Sequence, residues 1–550
     1  MKSLNFYHPQ ERPWPNSLLT STSIIGHTTS TSVRIWFRVS SPGDYLLFLS
    51  KNPLSNQRIP PTGNYDNSGN ITSGNNPKTS SGENTTGPNI HRIKFTSDRD
   101  LTNVIELKHL EPNTKYYYSL FHNNKDKPWE MGHEEKLYFK TFPENDTEVN
   151  FGIYSGHSPY KERNLANVEM CDLFYQELSD TNSRFVIGMG NQVYADGNEH
   201  LSIWNWLRKV KHLKPTLDDM IAWYRDIYRG YWGLLPMRQI LRNFANYSIW
   251  DDREILDNWG SYTAEELAAI LDTSWQLRNS EENLRLISDM FKAAKTVYKE
   301  YQHSHNPATD DQEEQFDYEF NYSFCKFYVL DMRGHRDINR SSARVLGIAQ
   351  WKRFQTWLNA QYDSSAKILF IVLSSPLVNL NNLLANKKLD LSHLSINDKL
   401  RDQWEHEVNY QERHQILDAV FNFSQTTKKQ VIFLSGNVEI GSAFKLYNQI
   451  FPNARVFQLT SSPLTQPINF TGSRRIFPKI VVKEQINLLE TKENIVYQFL
   501  NLYICRRNNF GIVRVKENEK GNVTVNYDLF SSNGQDDGVI EKKRIHLDQF

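Results

Sequence analysis

Ile249-Trp250-Asp251-Asp252-Arg253-Glu254-Ile255-Leu256-Asp257-Asn258-Trp259-Gly260-Ser261 is a short apolar lead followed by four consecutive charged residues and a Trp-Gly-Ser ending. An apolar run that stops at a burst of carboxylates reads as a strand delivering chemistry-bearing side chains to a loop. Three further stretches share this design: Tyr154-Ser155-Gly156-His157-Ser158-Pro159; Gly190-Asn191-Gln192-Val193-Tyr194-Ala195-Asp196-Gly197; and Leu434-Ser435-Gly436-Asn437-Val438-Glu439-Ile440-Gly441. Polar loops at the ends of apolar runs predict one site assembled at the strand ends of a layered α/β core.

The surrounding runs agree with that reading. Phe185-Val186-Ile187-Gly188, Phe327-Tyr328-Val329-Leu330, Ile368-Leu369-Phe370-Ile371-Val372-Leu373 and Val431-Ile432-Phe433-Leu434 have the unbroken apolarity of fully buried strands. Helices are expected around 164–179, 216–245, 263–301, 348–361 and 410–424, and the strands near 510–531 are expected to form an edge unit that closes the fold. Before Asn150 the period changes to two, as in Ser32-Val33-Arg34-Ile35-Trp36-Phe37-Arg38-Val39, which predicts half-buried strands over 18–50 and 91–141. Leu110-Glu111-Pro112-Asn113-Thr114 feeds the tyrosine-rich run Tyr116-Tyr117-Tyr118, a pattern common in immunoglobulin-like and fibronectin-like sandwiches. Residues 52–90 are rich in Asn, Ser, Thr, Gly and Pro and nearly devoid of apolar residues, so they bury too little to offset ordering and read as a flexible loop insertion. The expected division is an N-terminal β-sandwich domain over 1–145 and an α/β domain over 146–550.

Composition removes several classes of function. Basic and acidic residues number 63 each, so the basic excess of a general nucleic-acid binder is absent and no nucleic-acid partner is expected. A small-molecule or protein partner is expected instead. No stretch of about 18 apolar residues occurs, so no membrane span is expected. The N-terminus lacks the apolar segment of a signal peptide, and Cys171, Cys325 and Cys505 are too few and too scattered for a disulfide framework. A cytoplasmic location is therefore expected, with non-classical export left open. Neither a glycine-rich dinucleotide fingerprint nor a P-loop is present, so cofactors of those classes are not implied.

The four loop motifs, in this order and at these spacings, resemble those of the PhoD-like (alkaline phosphatase D) branch of the calcineurin-like metallophosphatases. Leu330-Asp331-Met332-Arg333, Leu346-Gly347-Ile348-Ala349-Gln350-Trp351 with Trp357-Leu358, and Thr460-Ser461-Ser462-Pro463 add to the resemblance, as do Ile24-Ile25-Gly26-His27-Thr28 and Arg34-Ile35-Trp36. The resemblance covers roughly residues 20–530. It implies an α/β layered (α/β/β/α) metallophosphatase-like core behind an N-terminal immunoglobulin-like β-sandwich, and an activity in which metal ions generate the attacking hydroxide and hold the phosphate charge.

The departures from the family pattern fall on the metal positions. Where the family's first motif has a Cys ligand, this chain has Gly156, and where the second has an Asp ligand it has Asn191. Arg253 replaces the His of Asp-Asp-His-Glu and cannot exchange a proton in a useful pH range. Asn437 and Glu439 replace the polar pair of Gly-Asp-Val-His. Two carboxylates are thus neutralised and a cation is added, which compensates for a missing metal.

Three readings follow. In the first the chain is a pseudophosphatase whose Arg253, with His157, Asn191, Tyr194, Asn437 and Glu439, holds a small phosphate-containing or anionic ligand without a metal cofactor. In the second, Asp251, Asp252, Tyr194 and Glu439, with Asp196, hold one Ca²⁺, Mg²⁺, Mn²⁺ or Fe, and His157 or Arg253 assists catalysis. In the third, the sandwich and its loop bind a protein partner. Each residue also has a plain structural reading. Asp252 and Glu254 can cap a helix start, Asp331 and Arg333 can pair at strand ends, and Trp250 and Trp259 can pack the core. His157 can be a surface histidine, and Gly156 can serve a tight turn.

Overall fold

The computed structural model describes residues 14, 17–53, 64–65, 71–73, 89–122, 129–132, 136–161, 164–197, 201–271, 280–310, 314–379, 401–467, 486–490, 496–532 and 540–549. Most of the expected 52–90 loop insertion lies outside these residues.

Two mixed sheets form the core. In the first, of six strands, Ala245–Ile249, Phe185–Met189 and Glu148–Tyr154 run parallel, and Asn509–Glu517, Val523–Ser532 and Ile540–His546 continue the sheet antiparallel. In the second, of eight, Cys325–Val329, Ile368–Leu373, Gln430–Ser435 and Val456–Thr460 are parallel and are flanked by antiparallel strands. Every residue of Ile368–Leu373 and of Phe185–Met189 is buried, as a strand covered on both faces requires. The sheets meet through aromatic rings: Phe151 lies 5.5 Å from Phe327 and 5.3 Å from Phe370, and Phe185 lies 5.5 Å from Phe327. Helix Glu169–Asp180 covers the outer face of the first sheet through Phe174, 4.7 Å from Phe510. Helices Gly347–Ala360 and Tyr410–Thr427 bury Phe354, Trp357, Leu417 and Phe421 against the second sheet in a separate apolar cluster. The core is therefore layered helix, sheet, sheet, helix.

Differences from the expected elements have local causes. The single helix expected over 216–245 is two, Leu217–Gly233 and Leu235–Asn243. Leu234 is extended between them, because Pro236 has no N–H to continue the first helix and suits the first turn of the second. The pair near 510–531 is not at an edge. Asn509–Glu517 pairs with Glu148–Tyr154 in the middle of the first sheet, buries Phe510, Ile512, Val513 and Val515, and leaves the edge to Ile540–His546. Helix Ile203–Val210, capped by Ser202, was not anticipated.

Near the amino terminus the strands form an antiparallel three-stranded sheet (Thr22–Thr28, Val33–Arg38, Thr102–Leu107) and a second antiparallel sheet around Gly43–Ser50 and Lys115–His122. They touch where Phe37 packs edge-on to Tyr118 and Ser23 hydrogen-bonds the Tyr118 hydroxyl at 2.8 Å. A buried polar knot fastens the first of them to the helices. Asp100 Oδ1 lies 3.2 Å from Arg38 Nη2 and 3.3 Å from Arg229 Nη1, and Asp100 Oδ2 accepts from the Tyr301 hydroxyl. Those guanidiniums hold the Asp100 carboxyl below its ordinary pKa against the opposing effect of burial. Among the described residues no helix is long and apolar enough to cross a membrane.

Removing one member of a buried ion pair strands the others. Asp100→Ala is expected to cost about 3 to 5 kcal/mol of unfolding free energy in urea titrations, and a loss below about 1 kcal/mol contradicts the knot.

Candidate functional site

The loops singled out in the sequence follow parallel strands of both sheets and converge at one end of the core. Asp251, fully buried, is at the centre. Its Oδ1 accepts from Arg333 Nε at 2.6 Å and from Ser374 Oγ at 2.7 Å, and its Oδ2 accepts from Asn437 Nδ2 at 2.8 Å. Arg333 turns the rest of its guanidinium to Asp402, Nη1 donating to Oδ1 at 2.6 Å and Nη2 to Oδ2 at 2.9 Å. Burial works against the Asp402 charge, but the Arg333 and Arg336 guanidiniums win and lower its pKa.

Neighbouring carboxylates have different tasks. Asp252 Oδ2 accepts from the Asn258 N–H at 2.8 Å, and Oδ1 is buried with no partner among the described residues. Burial, then the Asp251 charge, push the Asp252 pKa well above the ordinary carboxylate value. Glu254 accepts from the N–H groups of Asn191 at 3.0 Å, Gln192 at 2.7 Å and Asp251 at 3.0 Å. It clasps two loops together and closes a capping box with Asp251 around the short 3-10 turn Asp252–Glu254. The helix-start reading therefore applies to Glu254, with Asp251 rather than Asp252 as its partner.

Arg253 is committed. Its Nη1 donates to Asp196 Oδ2 at 2.9 Å, its Nη2 lies 2.8 Å from Asp257 Oδ1, and its guanidinium lies 5.5 Å from the centre of the Tyr194 ring. Its N–H donates to Asn191 Oδ1 at 3.1 Å, so Asn191 braces the Arg253 backbone. The Tyr194 hydroxyl donates to Gln466 Oε1, and Gln466 Nε2 donates to Glu439 Oε1 at 3.1 Å. His157 is not a surface residue: it is 1% exposed, 3.0 Å from Thr465 Oγ1 through Nδ1, and edge-on to Tyr231. Burial holds its pKa to about 3, so it stays neutral.

Backbone geometry keeps the loop shapes. Asn191, Asn437 and Glu439 have φ of 55°, 66° and 55°, in the left-handed region where a non-glycine residue is strained. Gly156 has φ 71°, and a Cβ there would lie 2.8 Å from the Pro463 Cβ. The tight-turn reading of Gly156 therefore holds in a stronger form, because a side chain has no room.

The donors do not suit a metal. Among the described residues no three His, Cys, Asp or Glu side chains are grouped to hold an ion. Of the sequence-derived set, Asp251 has both oxygens taken, and Tyr194 and Glu439 are joined through Gln466. Asp331 and Arg333 are not a side-chain ion pair. Asp331 Oδ1 accepts from Trp250 Nε1 at 2.7 Å and from the Arg333 N–H at 3.0 Å, while the guanidinium serves Asp251 and Asp402. Trp250 packs as expected, stacked on Tyr298 at 4.4 Å. Asp402, Ser374 and Gln466 were missed. Ser374 follows the apolar run Ile368–Leu373 without a carboxylate or histidine to mark it, and nothing in the local sequence around Asp402 or Gln466 marks either.

The family model described as PhoD-like phosphatase matches residues 171–527, well over half of the chain. The chain belongs to the PhoD-like phosphatase family. The solved structure of PhoD superposes with a TM-score of 0.59 at 15% identity, covering 96% of this chain and 90% of that one. A purple acid phosphatase, PPD1, from yellow lupin (Lupinus luteus) seeds superposes with a TM-score of 0.53 at 12% identity, covering 97% and 75%. At such identities both show the shared fold alone. No curated protein matches the sequence.

Two outcomes test this site. Asn437→Asp exchanges the donor on Asp251 for a second carboxylate, and is expected to lower stability by about 1 to 3 kcal/mol near neutral pH. An unchanged melting temperature contradicts the hydrogen bond. His157 titrates near 6.5 when unfolded and near 3 when folded. Above 6.5 neither state binds the proton, and below it the unfolded chain alone does, so stability falls with pH. His303 and His305, also held to about 3 by burial, act in the same direction. His157→Gln is expected to flatten the fall of the urea midpoint between about pH 7 and about pH 4.

Proposed function

We propose that this PhoD-like chain is a pseudophosphatase, a family member that hydrolyses phosphoesters little or not at all and keeps the pocket for binding an anionic ligand. The observation that carries this reading is the saturation of Asp251. Its oxygens are occupied by a guanidinium, an amide and a hydroxyl, donors that hold a buried carboxylate without a cation bound between loops. A single-metal hydrolase built on Asp251, Asp252, Tyr194 and Glu439 has to place its ion beside an Asp251 that already accepts three side-chain hydrogen bonds.

The ligand arm of the proposal rests on Arg253, whose side chain is 13% exposed where that of Arg333 is fully buried. Because Asp196 and Asp257 already neutralise it, phosphate binds there only by displacing one of them, and the expected affinity is weak. The amino-terminal strands belong to the same proposal as an immunoglobulin-like sandwich over residues 1–145. Support comes from the Tyr116 hydroxyl, which accepts the Glu111 N–H at 2.9 Å in the manner of a tyrosine corner.

Full-length protein incubated separately with Mn²⁺, Ca²⁺, Mg²⁺ and Fe, then desalted, is expected to retain no stoichiometric metal by elemental analysis and to leave phosphomonoester and phosphodiester reporters intact. Retained metal with turnover that Asp252→Ala abolishes overturns the pseudophosphatase and establishes the one-metal enzyme.

A further inference from the structure

Away from the strand-end loops, a cavity of about 370 Å³ opens where strands Lys115–His122 and Tyr138–Lys140 approach the ends of helices Glu169–Asp180 and Leu235–Asn243. Lys115, Lys140 and Arg184 line it, and no Asp or Glu is among its lining residues. Arg184 is answered from behind by Asp146, at 3.3 Å. For Lys115 and Lys140 no carboxylate partner is found among the described residues, and Lys115 instead lies 4.1 Å from the centre of the Tyr138 ring. The cavity thus carries an excess of two positive charges. Burial, then the like charges of Arg184 and Lys115, hold Lys140 below the ordinary lysine pKa, with the Asp146 charge opposing them.

Both helices end at the cavity, where Leu178 O accepts from the Ser183 N–H, Ser179 O from the Asn182 N–H and Ile240 O from the Phe244 N–H. The remaining wall is mixed: Phe142, Tyr175, Leu178 and Phe244 give it an apolar and aromatic side, with Tyr175 edge-on to Phe244 at 6.0 Å, and Thr141, Ser179, Asn182, Ser183 and Asn243 give it a polar one. Two uncompensated charges suit a dianion. The volume exceeds what a bare phosphate fills and falls in the range of small-molecule sites.

We propose that this cavity is a binding site for an organic phosphate monoester of mononucleotide size, with Lys115, Lys140 and Arg184 on the phosphate and the Tyr175–Phe244 wall against an apolar or aromatic body. The site is separate from the pocket around Asp251 and does not depend on whether that pocket hydrolyses anything.

Isothermal titration of the full-length protein with AMP, adenosine and inorganic phosphate tests it. AMP is expected to bind saturably, adenosine not to bind, and inorganic phosphate to bind more weakly than AMP. The double variant Lys115→Gln/Lys140→Gln changes exposed side chains and is expected to keep its melting temperature while weakening AMP by about tenfold or more. Four results overturn the proposal: no saturation by AMP at millimolar concentration, equal affinity of AMP for the double variant, inorganic phosphate binding as tightly as AMP, or AMP binding that survives the double variant and is lost in Arg253→Gln. The last result moves the anion to the strand-end pocket.

Discussion

Asp251 and Arg333 meet at 2.6 Å with neither side chain exposed to solvent, and most of the strand-end loops are arranged around that contact. A buried carboxylate and guanidinium each lose several kcal/mol of hydration, and their attraction compensates only when the remaining lone pairs and protons find partners. Here they do. Ser374 and Asn437 complete Asp251, while Asp402 and the Trp259 carbonyl complete Arg333. Asp251 follows a strand of the first sheet, whereas Arg333, Ser374 and Asn437 follow strands of the second. The polar chain therefore ties the two sheets together at the end where aromatic packing between them gives way to loops.

The substitutions at this end are coherent once that chain is considered. A carboxylate at position 437 would face Asp251 as a like charge and would need a cation between them. An amide of nearly the same shape donates instead. At position 191 the Asn oxygen accepts the Arg253 N–H, and at 253 a guanidinium is neutralised by Asp196 and Asp257. Each of these side chains supplies a donor or an acceptor that satisfies another. Asp252 Oδ1 stands outside this arrangement, buried without a donor among the described residues and carried on a carboxyl whose pKa is raised.

How much of this was legible depended on range. The apolar runs 185–188, 327–330, 368–373 and 431–434 marked the core strands because burial on both faces leaves no room for polar residues, and the loops behind them marked the site. Adjacency in sequence carried no such information about pairing. Arg333 lies two residues from Asp331 and suggested a local pair, yet its guanidinium reaches Asp251 and Asp402, 82 and 69 positions away. His157 has polar neighbours in sequence and is buried by residues from elsewhere, Tyr231 and Thr465. Asp402 and Gln466 depend wholly on such long-range closure, so no local pattern could have marked them.

The backbone sets the last constraint. Asn191, Asn437 and Glu439 retain left-handed conformations that favour glycine or asparagine, and such strain persists only where surrounding structure enforces it. Gly156 works in the opposite sense. Its position against Pro463 leaves no space for a Cβ, so a thiolate there requires the Pro463 loop to move as well as the residue to change. A metal pair cannot be restored by exchanging Asn for Asp at two positions. The backbone at 156, the Arg253 ion pairs and the Asn437 hydrogen bond would all have to reorganise together.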